Sequence, residues 1–218
     1  MEKMNYINDP QAIERESFRI ITEELGENLP AEEIRDIVLR IIHTTADFEY
    51  AQLIEFKNDA VNAGLKALSE GSKIYADTSM IRNAVNSRAL GLQGCEIVSY
   101  VHDEDVREEA RALGITRSAA AMKKALNDGD VKIFAIGNAP TALIELVRLI
   151  MEDGVRPALV VGMPVGFVSA AESKDLMAQI ADVPWIVIRG RKGGSTLVVA
   201  ALHALLALAE AQQRAEGA

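Results

Sequence analysis

The sequence predicts an α/β fold: a single domain with a mostly parallel central sheet covered by helices, and a helical N-terminal segment. Three observations carry this expectation. Residues 73–218 alternate short β-rich runs with segments of helical periodicity, the pattern of strands joined by crossover helices. Most of those runs are nearly continuously apolar, as expected when both faces of a sheet are covered. The chain has 218 residues, 49% of them hydrophobic and 25% charged, which suits a sizeable core and is far from a disordered composition. No repeat, low-complexity tract or linker rich in Pro, Gly and Ser interrupts it. Residues 1–218 are therefore read as one domain, helical over 1–72 and alternating over 73–218.

The elements follow in order. Asp9-Pro10 offers an N-cap and a proline at the first helical position. Ile13, Phe18, Ile20, Ile21 and Leu25 recur near helical spacing, and Gly26 is a stop. Pro30 opens a second helix with acids in its first turn, on which Ile34, Ile37, Val38, Ile41 and Ile42 form one stripe. It delivers His43-Thr44-Thr45-Ala46-Asp47 at its end. A third helix covers Ala60–Ser69. Strands are expected over 73–76, 96–101, 131–136, 158–161 and 185–189. Helical segments lie between them over 80–88, 106–113, 118–126, 141–151 and 173–180. A long apolar helix closes the chain.

The formal net charge is −9 at pH 7. Broad nucleic-acid or membrane-surface binding needs a cationic face, so neither is expected, although a local basic pocket is compatible with the total. The single cysteine, Cys95, excludes an intramolecular disulfide and a cysteine-cluster metal site, and is read as a small buried thiol. Residues 1–20 mix acids and bases without an apolar core, unlike a signal peptide. The apolar run over 196–209, interrupted by His203, falls short of the roughly 20 residues a membrane helix needs. It reads as a helix at a domain core or subunit interface, and the cytoplasm is the default location.

Ligands of open α/β sheets bind beyond the carboxyl ends of the strands. The loops there read Asp77-Thr78-Ser79-Met80, His102-Asp103, Gly137-Asn138-Ala139-Pro140-Thr141, Gly162-Met163-Pro164-Val165-Gly166-Phe167 and Gly190-Arg191-Lys192-Gly193-Gly194-Ser195. Three begin with glycine, which permits a sharp turn and close approach of a ligand to main-chain N–H groups. The last joins a strand to the C-terminal helix, so its amides and two cations suit an anion; the alternative is a flexible turn with solvated charges. Asn138 either aims its amide at a ligand or caps the helix that Pro140 begins. Arg117-Ser118, at another helix start, is a further potential carboxylate contact or a surface pair. No P-loop, Gly-x-Gly-x-x-Gly or Gly-x-Ser-x-Gly motif occurs, which disfavours nucleotide, dinucleotide and serine-hydrolase chemistry.

Of three histidines, His203 sits in an apolar helix and reads as packed, and His102 precedes a run of acids and reads as loop. His43 ends an amphipathic helix, so a proton-transfer role near neutral pH falls there first; a structural role is the alternative. His43 and Asp47 are four residues apart, which could place them on one helix face. No third ligand appears at metal-site spacing, so no metal site is expected.

Taken together, the segments Ile41-Ile-His-Thr-Thr-Ala-Asp47, Asp77-Thr-Ser-Met80, Gly137-Asn-Ala-Pro-Thr-Ala-Leu143, Pro164-Val-Gly-Phe-Val168, Ala171-Glu-Ser-Lys174 and Gly190-Arg-Lys-Gly-Gly-Ser195 resemble the precorrin-8X methylmutase family. The resemblance runs in order from about Asp9 to the C-terminal helix. It implies an α/β isomerase of cobalamin (vitamin B12) biosynthesis that moves a methyl group from C-11 to C-12 of a corrinoid tetrapyrrole. The product is hydrogenobyrinate, or cobyrinate where the substrate carries cobalt. It further implies a homodimer without a dissociable cofactor, any cobalt belonging to the substrate, and it places the catalytic histidine at His43. On this reading His43 protonates or hydrogen-bonds a pyrrolic nitrogen of ring C, with Thr44 or Thr45 orienting its imidazole.

A flat substrate fringed with carboxylates calls for an apolar cleft rimmed by N–H donors and cations. The candidate contacts are Arg15, Ser17, Thr44, Thr45, Thr78, Met80, Arg117, Ser118, Asn138, Ala139, Pro140, Gly166, Lys174, Arg191, Lys192 and Gly193. Arg19 reads as a solvated charge. Hand-over of product to neighbouring cobalamin-pathway enzymes is a further expectation. Two other classes compete: a non-catalytic tetrapyrrole carrier, which has no need of His43, and an α/β enzyme using the 190–195 loop for a phosphate ligand.

Overall fold

A computed structural model describes residues 7–216; the first six residues of the segment read as lacking a targeting signal lie outside the described residues. The chain runs α1 (Pro10–Leu25), α2 (Glu32–Thr45), α3 (Tyr50–Leu53), β1 (Ile54–Lys57), α4 (Ala60–Ser69), β2 (Lys73–Ala76), α5 (Ser79–Ala84) and α6 (Ser87–Leu92). It continues β3 (Glu96–Val98), α7 (Glu104–Leu113), α8 (Arg117–Asn127), β4 (Val131–Ile136), α9 (Pro140–Glu152), β5 (Leu159–Gly162), α10 (Ala170–Ala178), β6 (Trp185–Ile188) and α11 (Ser195–Glu216). One six-stranded sheet has the order β1-β6-β5-β4-β2-β3, all neighbours parallel except β1 with β6. The α/β fold with a mostly parallel sheet is therefore the one expected.

The helix starts follow their caps. The Asp9 carboxylate accepts from the Ala12 amide at 2.9 Å ahead of Pro10, satisfying a donor that the helix itself leaves free. Along α2 the stripe Ile37, Val38, Ile41 and Ile42 is fully buried, each side chain contributing about 1.5–3 kcal/mol. The differences from expectation are local. The segment expected as one helix over 80–88 is two, α5 and α6, because Asn86 accepts from the Arg88 and Ala89 amides and starts a new helix. Edge strand β3 stops at Val98, where Tyr100 accepts from the Asp103 amide and turns the chain. The strand β1 and the one-turn α3 were not expected; β1 is an antiparallel edge paired from Ile54↔Ile188 to Lys57↔Trp185. Cys95 is half-buried, its thiol reaching the Leu68 carbonyl at 3.3 Å.

The sheet separates two cores. On one face Ile74, Ala76, Ile133, Ala135, Leu159, Val161, Ile186 and Ile188 meet the buried sides of α2, α4 and α11. On the other Tyr75, Phe134, Ile136, Val160, Trp185 and Val187 meet α7, α8, α9 and α10. The alternation along each strand is the period of two that a doubly covered sheet imposes. Helix α11 is longer than its apolar run and by length and composition alone could cross a membrane. Here Leu197, Val198, Ala201, Leu202 and Leu205 are buried in the first core, so it is a core helix. His203 on it accepts from the Asn86 amide at 3.1 Å, and burial lowers the pKa of its imidazole.

The chain leaves β2 toward the first face and β4 toward the second, so the strand order reverses between these neighbours. Such a reversal ordinarily opens a ligand crevice. In this chain Asp77, 2% exposed, fills it. Its carboxylate accepts from the amides of Gly137 at 3.0 Å, Asn138 at 2.9 Å and Ala139 at 2.7 Å. Burial raises the Asp77 pKa, while the amide hydrogen bonds work against that rise. The start of α11 packs over the same point, where a Cβ on Gly137 would lie 2.7 Å from the Ser195 Cα. Asp77→Asn, which turns an NH₂ group toward amide donors, is expected to cost about 1–3 kcal/mol of unfolding free energy by urea denaturation. An unchanged midpoint and slope would refute this role.

Candidate functional site

His43 lies in the last turn of α2 with its side chain exposed. The helix ends at Ala46, a left-handed residue (φ 51°, ψ 31°) whose N–H donates to the Ile42 carbonyl at 2.7 Å. This stop puts Asp47 outside the helix, so the spacing of four does not place it on one helix face with His43. The His43 ring packs against Phe18 of α1, with centroids 5.3 Å apart and planes tilted 44°. The Arg40 guanidinium lies 5.3 Å from the same phenyl centroid. A cavity of about 340 Å³ opens beside the imidazole, lined by Ser17, Ile20, Ile21, Glu24, Ile42, His43, Ala46 and Phe48. Its walls are mainly apolar, with Ser17, Glu24 and His43 as polar side chains.

The neighbouring threonines face their own helix. Thr44 Oγ1 donates to the Arg40 carbonyl at 2.8 Å and Thr45 Oγ1 to the Ile41 carbonyl at 2.9 Å. Neither hydroxyl is directed at the imidazole; the ring contact is with Phe18, a member of the apolar stripe of α1. Ser17 Oγ likewise donates to the Ile13 carbonyl at 2.8 Å. Arg15 is exposed, 3.5 Å from Asp9, and is not among the residues lining the His43 cavity.

The end of α2 meets the loop after β6 through charge. Lys192 Nζ donates to Asp47 at 2.5 Å and Glu49 at 2.8 Å. That hydrogen bond holds the Asp47 carboxyl below the usual aspartate range and raises the pKa of the Lys192 ammonium. Gly193 (φ 155°) packs so closely on the loop after β5 that a Cβ would lie 2.4 Å from the Met163 oxygen. The Gly194 amide donates to that oxygen at 2.8 Å, and the Gly166 amide to the Arg191 carbonyl at 3.3 Å. Lys174, expected on a cationic rim, is 0% exposed, and its ammonium donates to the carbonyls of Pro164 at 2.9 Å and Lys192 at 2.7 Å. Burial pushes this ammonium down to about 8.

The other expected residues lie along the carboxyl ends of the parallel strands. Thr78 caps α5 through the Ile81 amide and sits 3.3 Å from Ser195 Oγ; Met80 is exposed beside it. The Asn138 and Ala139 amides are occupied by Asp77. The exposed Asn138 side chain does not cap α9, whose first residue is Pro140. Arg117 is exposed and Ser118 half-buried at the start of α8. There Thr116 Oγ1, 2.8 Å from Thr141 Oγ1, ties α8 to α9. Arg191 is exposed, its guanidinium 5.6 Å from the ring centroid of Phe167. Phe167, 84% exposed, and the adjacent Val168 form an apolar tip that is not among the expected contacts. Its signal was two consecutive apolar residues in a loop that has no helix or strand to bury them.

The arrangement presents one titratable imidazole at an apolar opening, with Arg191 and Arg117 as exposed cations at strand and helix ends. Many main-chain amides that could have held an anion are satisfied internally. Among the described residues, no three His, Cys, Asp or Glu side chains gather as a metal site.

The precorrin-8X methylmutase family profile matches residues 12–208. The chain is 50% identical over 208 residues to the cobalt-precorrin-8 methylmutase of Priestia megaterium, covering 95% of this chain and 92% of that protein. It is 38% identical over 206 residues to the precorrin-8X methylmutase of a Sinorhizobium species, covering 94% and 98%. A crystal structure of precorrin-8x methyl mutase from Thermus thermophilus superposes with a TM-score of 0.84 at 49% identity, covering 91% of this chain and 96% of that one.

The Asp47–Lys192 pair yields a pH test. A carboxyl whose folded pKa is depressed contributes stability above its unfolded value, near 4, and loses it as pH falls through the folded value. The stability difference between the unsubstituted protein and Asp47→Asn is therefore expected to be constant around neutral pH. In urea titrations it should shrink progressively below about pH 4. A difference that stays constant into that acid range would contradict the pairing.

Proposed function

Because this chain belongs to the precorrin-8X methylmutase family and is a methyl-transferring isomerase of cobalamin biosynthesis, we propose that its reaction centre is the imidazole of His43 at the Phe18-backed opening. The methyl group migrates from C-11 to C-12 within one molecule, so no hydride or external methyl donor enters the balance. The protein's task is to hold the reactive tautomer of the macrocycle and stabilise its charge as the methyl moves. His43 does this by lending a proton, or a hydrogen bond, to a pyrrolic nitrogen of ring C and recovering it after migration. The observation that carries the reading is the exposed imidazole beside an otherwise mainly apolar cavity.

A cavity of about 340 Å³ suits a small ligand or one edge of a larger one rather than a whole tetrapyrrole. The macrocycle therefore lies across the opening, with one ring edge at His43. Arg191 and Arg117 meet peripheral carboxylates, with Arg15 as an outer contact. Ser17 and Met80 border the ring, and Phe167 offers it an aromatic surface. A second copy of the chain covers the exposed side, giving a homodimer; the apolar Phe167 and Val168 tip supports this. Cobalt, where present, is part of the substrate.

Replacing His43 with Ala is expected to lower turnover by ~10²–10⁴-fold while the acidic product still binds. Absorbance change on corrin formation and product titration read these separately. Full activity would overturn the assignment, and binding without any conversion by the unsubstituted protein would favour the carrier reading. Arg191→Ala is expected to weaken product binding about tenfold, roughly 1.4 kcal/mol, and to flatten its salt dependence. Unchanged affinity and salt response would remove Arg191 from the rim.

A further inference from the structure

Resting on the isomerase reading, we propose that Lys192 is a positioning residue for His43, with its ammonium committed to the end of α2 instead of to a substrate carboxylate. An ammonium has three donors. Two go to Asp47 and Glu49, and Nζ also lies 5.2 Å from the Tyr50 ring centroid. An anion brought to this ammonium would meet two carboxylates already there, so its charge is spent. Arg191, next to it in sequence, has no such partner among the described ion pairs and faces outward over Phe167.

What Lys192 holds is the wall of the His43 cavity. Asp47 and Glu49 alternate with Ala46 and Phe48, and the latter two line that cavity. The segment begins at left-handed Ala46, a conformation unfavourable for an L-residue. Local restraint comes from the Asp47 amide to Thr45 Oγ1 at 3.3 Å and the Glu49 amide to the Asp47 carboxylate at 3.0 Å. Lys192 adds the tie to a different part of the fold.

The anchor is itself rigid. The Lys192 carbonyl accepts from the fully buried ammonium of Lys174, which also holds the Pro164 carbonyl. Burying an ammonium is costly, and an apolar side chain of similar length could occupy the space without that penalty. The donors therefore matter. Through them α10 fixes the loops after β5 and β6, and Lys192 passes that fixed position to the turn behind His43.

The test compares Lys192→Met and Lys192→Arg with the unsubstituted protein. Lys192→Met is expected to lower kcat about 10–100-fold, the order expected for a displacement near 1 Å. KM and product Kd should stay within about threefold, far less than the tenfold expected for loss of one carboxylate contact. Lys192→Arg, which preserves the pairing, should recover most of kcat. The imidazole NMR signals supply a readout independent of turnover: in Lys192→Met the His43 signal should shift or broaden while those of His102 and His203 stay, and Lys192→Arg should restore it. A tenfold rise in KM or product Kd with kcat intact would make Lys192 a substrate contact, and an unmoved His43 signal would end the positioning role. Absence of isomerisation by the unsubstituted protein would strike the functional reading alone, since the His43 signal would still report the coupling.

Discussion

The buried carboxylate of Asp77 fills the place where a sheet of this kind ordinarily binds its ligand. At the reversal of strand order it takes the amides of Gly137, Asn138 and Ala139, donors that elsewhere would cradle a ligand's anion. The crevice is thus occupied by the protein's own charge, and the start of α11 closes over it through contact with Gly137. With that position sealed, the proposed reaction centre lies away from it, on the helical N-terminal segment.

The same principle recurs in the second glycine loop. By composition the 190–195 segment suited a phosphate, with two cations and several amides at a helix start. The fold satisfies the Gly194 amide with the Met163 carbonyl and Lys192 with Asp47 and Glu49, leaving Arg191 as the outward cation. A phosphate-dependent reading loses the Gly194 amide and the Lys192 ammonium by this internal use. The net charge of −9 fits the same picture: several basic side chains at the strand ends are paired within the fold.

Much of this was legible beforehand because it depends on local chemistry. Asp9-Pro10 and Gly26 bound α1 as their capping behaviour requires. The burial of the inner strands on both faces follows from their uninterrupted apolar runs. The elements that escaped are those whose signal is weak or shared. Ile54-Glu-Phe-Lys57 is a four-residue alternation that becomes a strand only by pairing with β6. The break between α5 and α6 rests on Asn86, whose capping role competes with a continuous helical pattern.

The ordered motifs identified the family, since they are properties of residues and their sequence. They did not distinguish cations that face a ligand from cations that hold the protein together. Lys174, Lys192 and Arg191 read alike as positive charges near a glycine turn. Only the tertiary structure separates a buried ammonium on two carbonyls, an ion pair behind the histidine and a guanidinium exposed over Phe167. The physical reason is that charge is local to a residue, whereas its availability depends on which distant groups folding brings within hydrogen-bond reach.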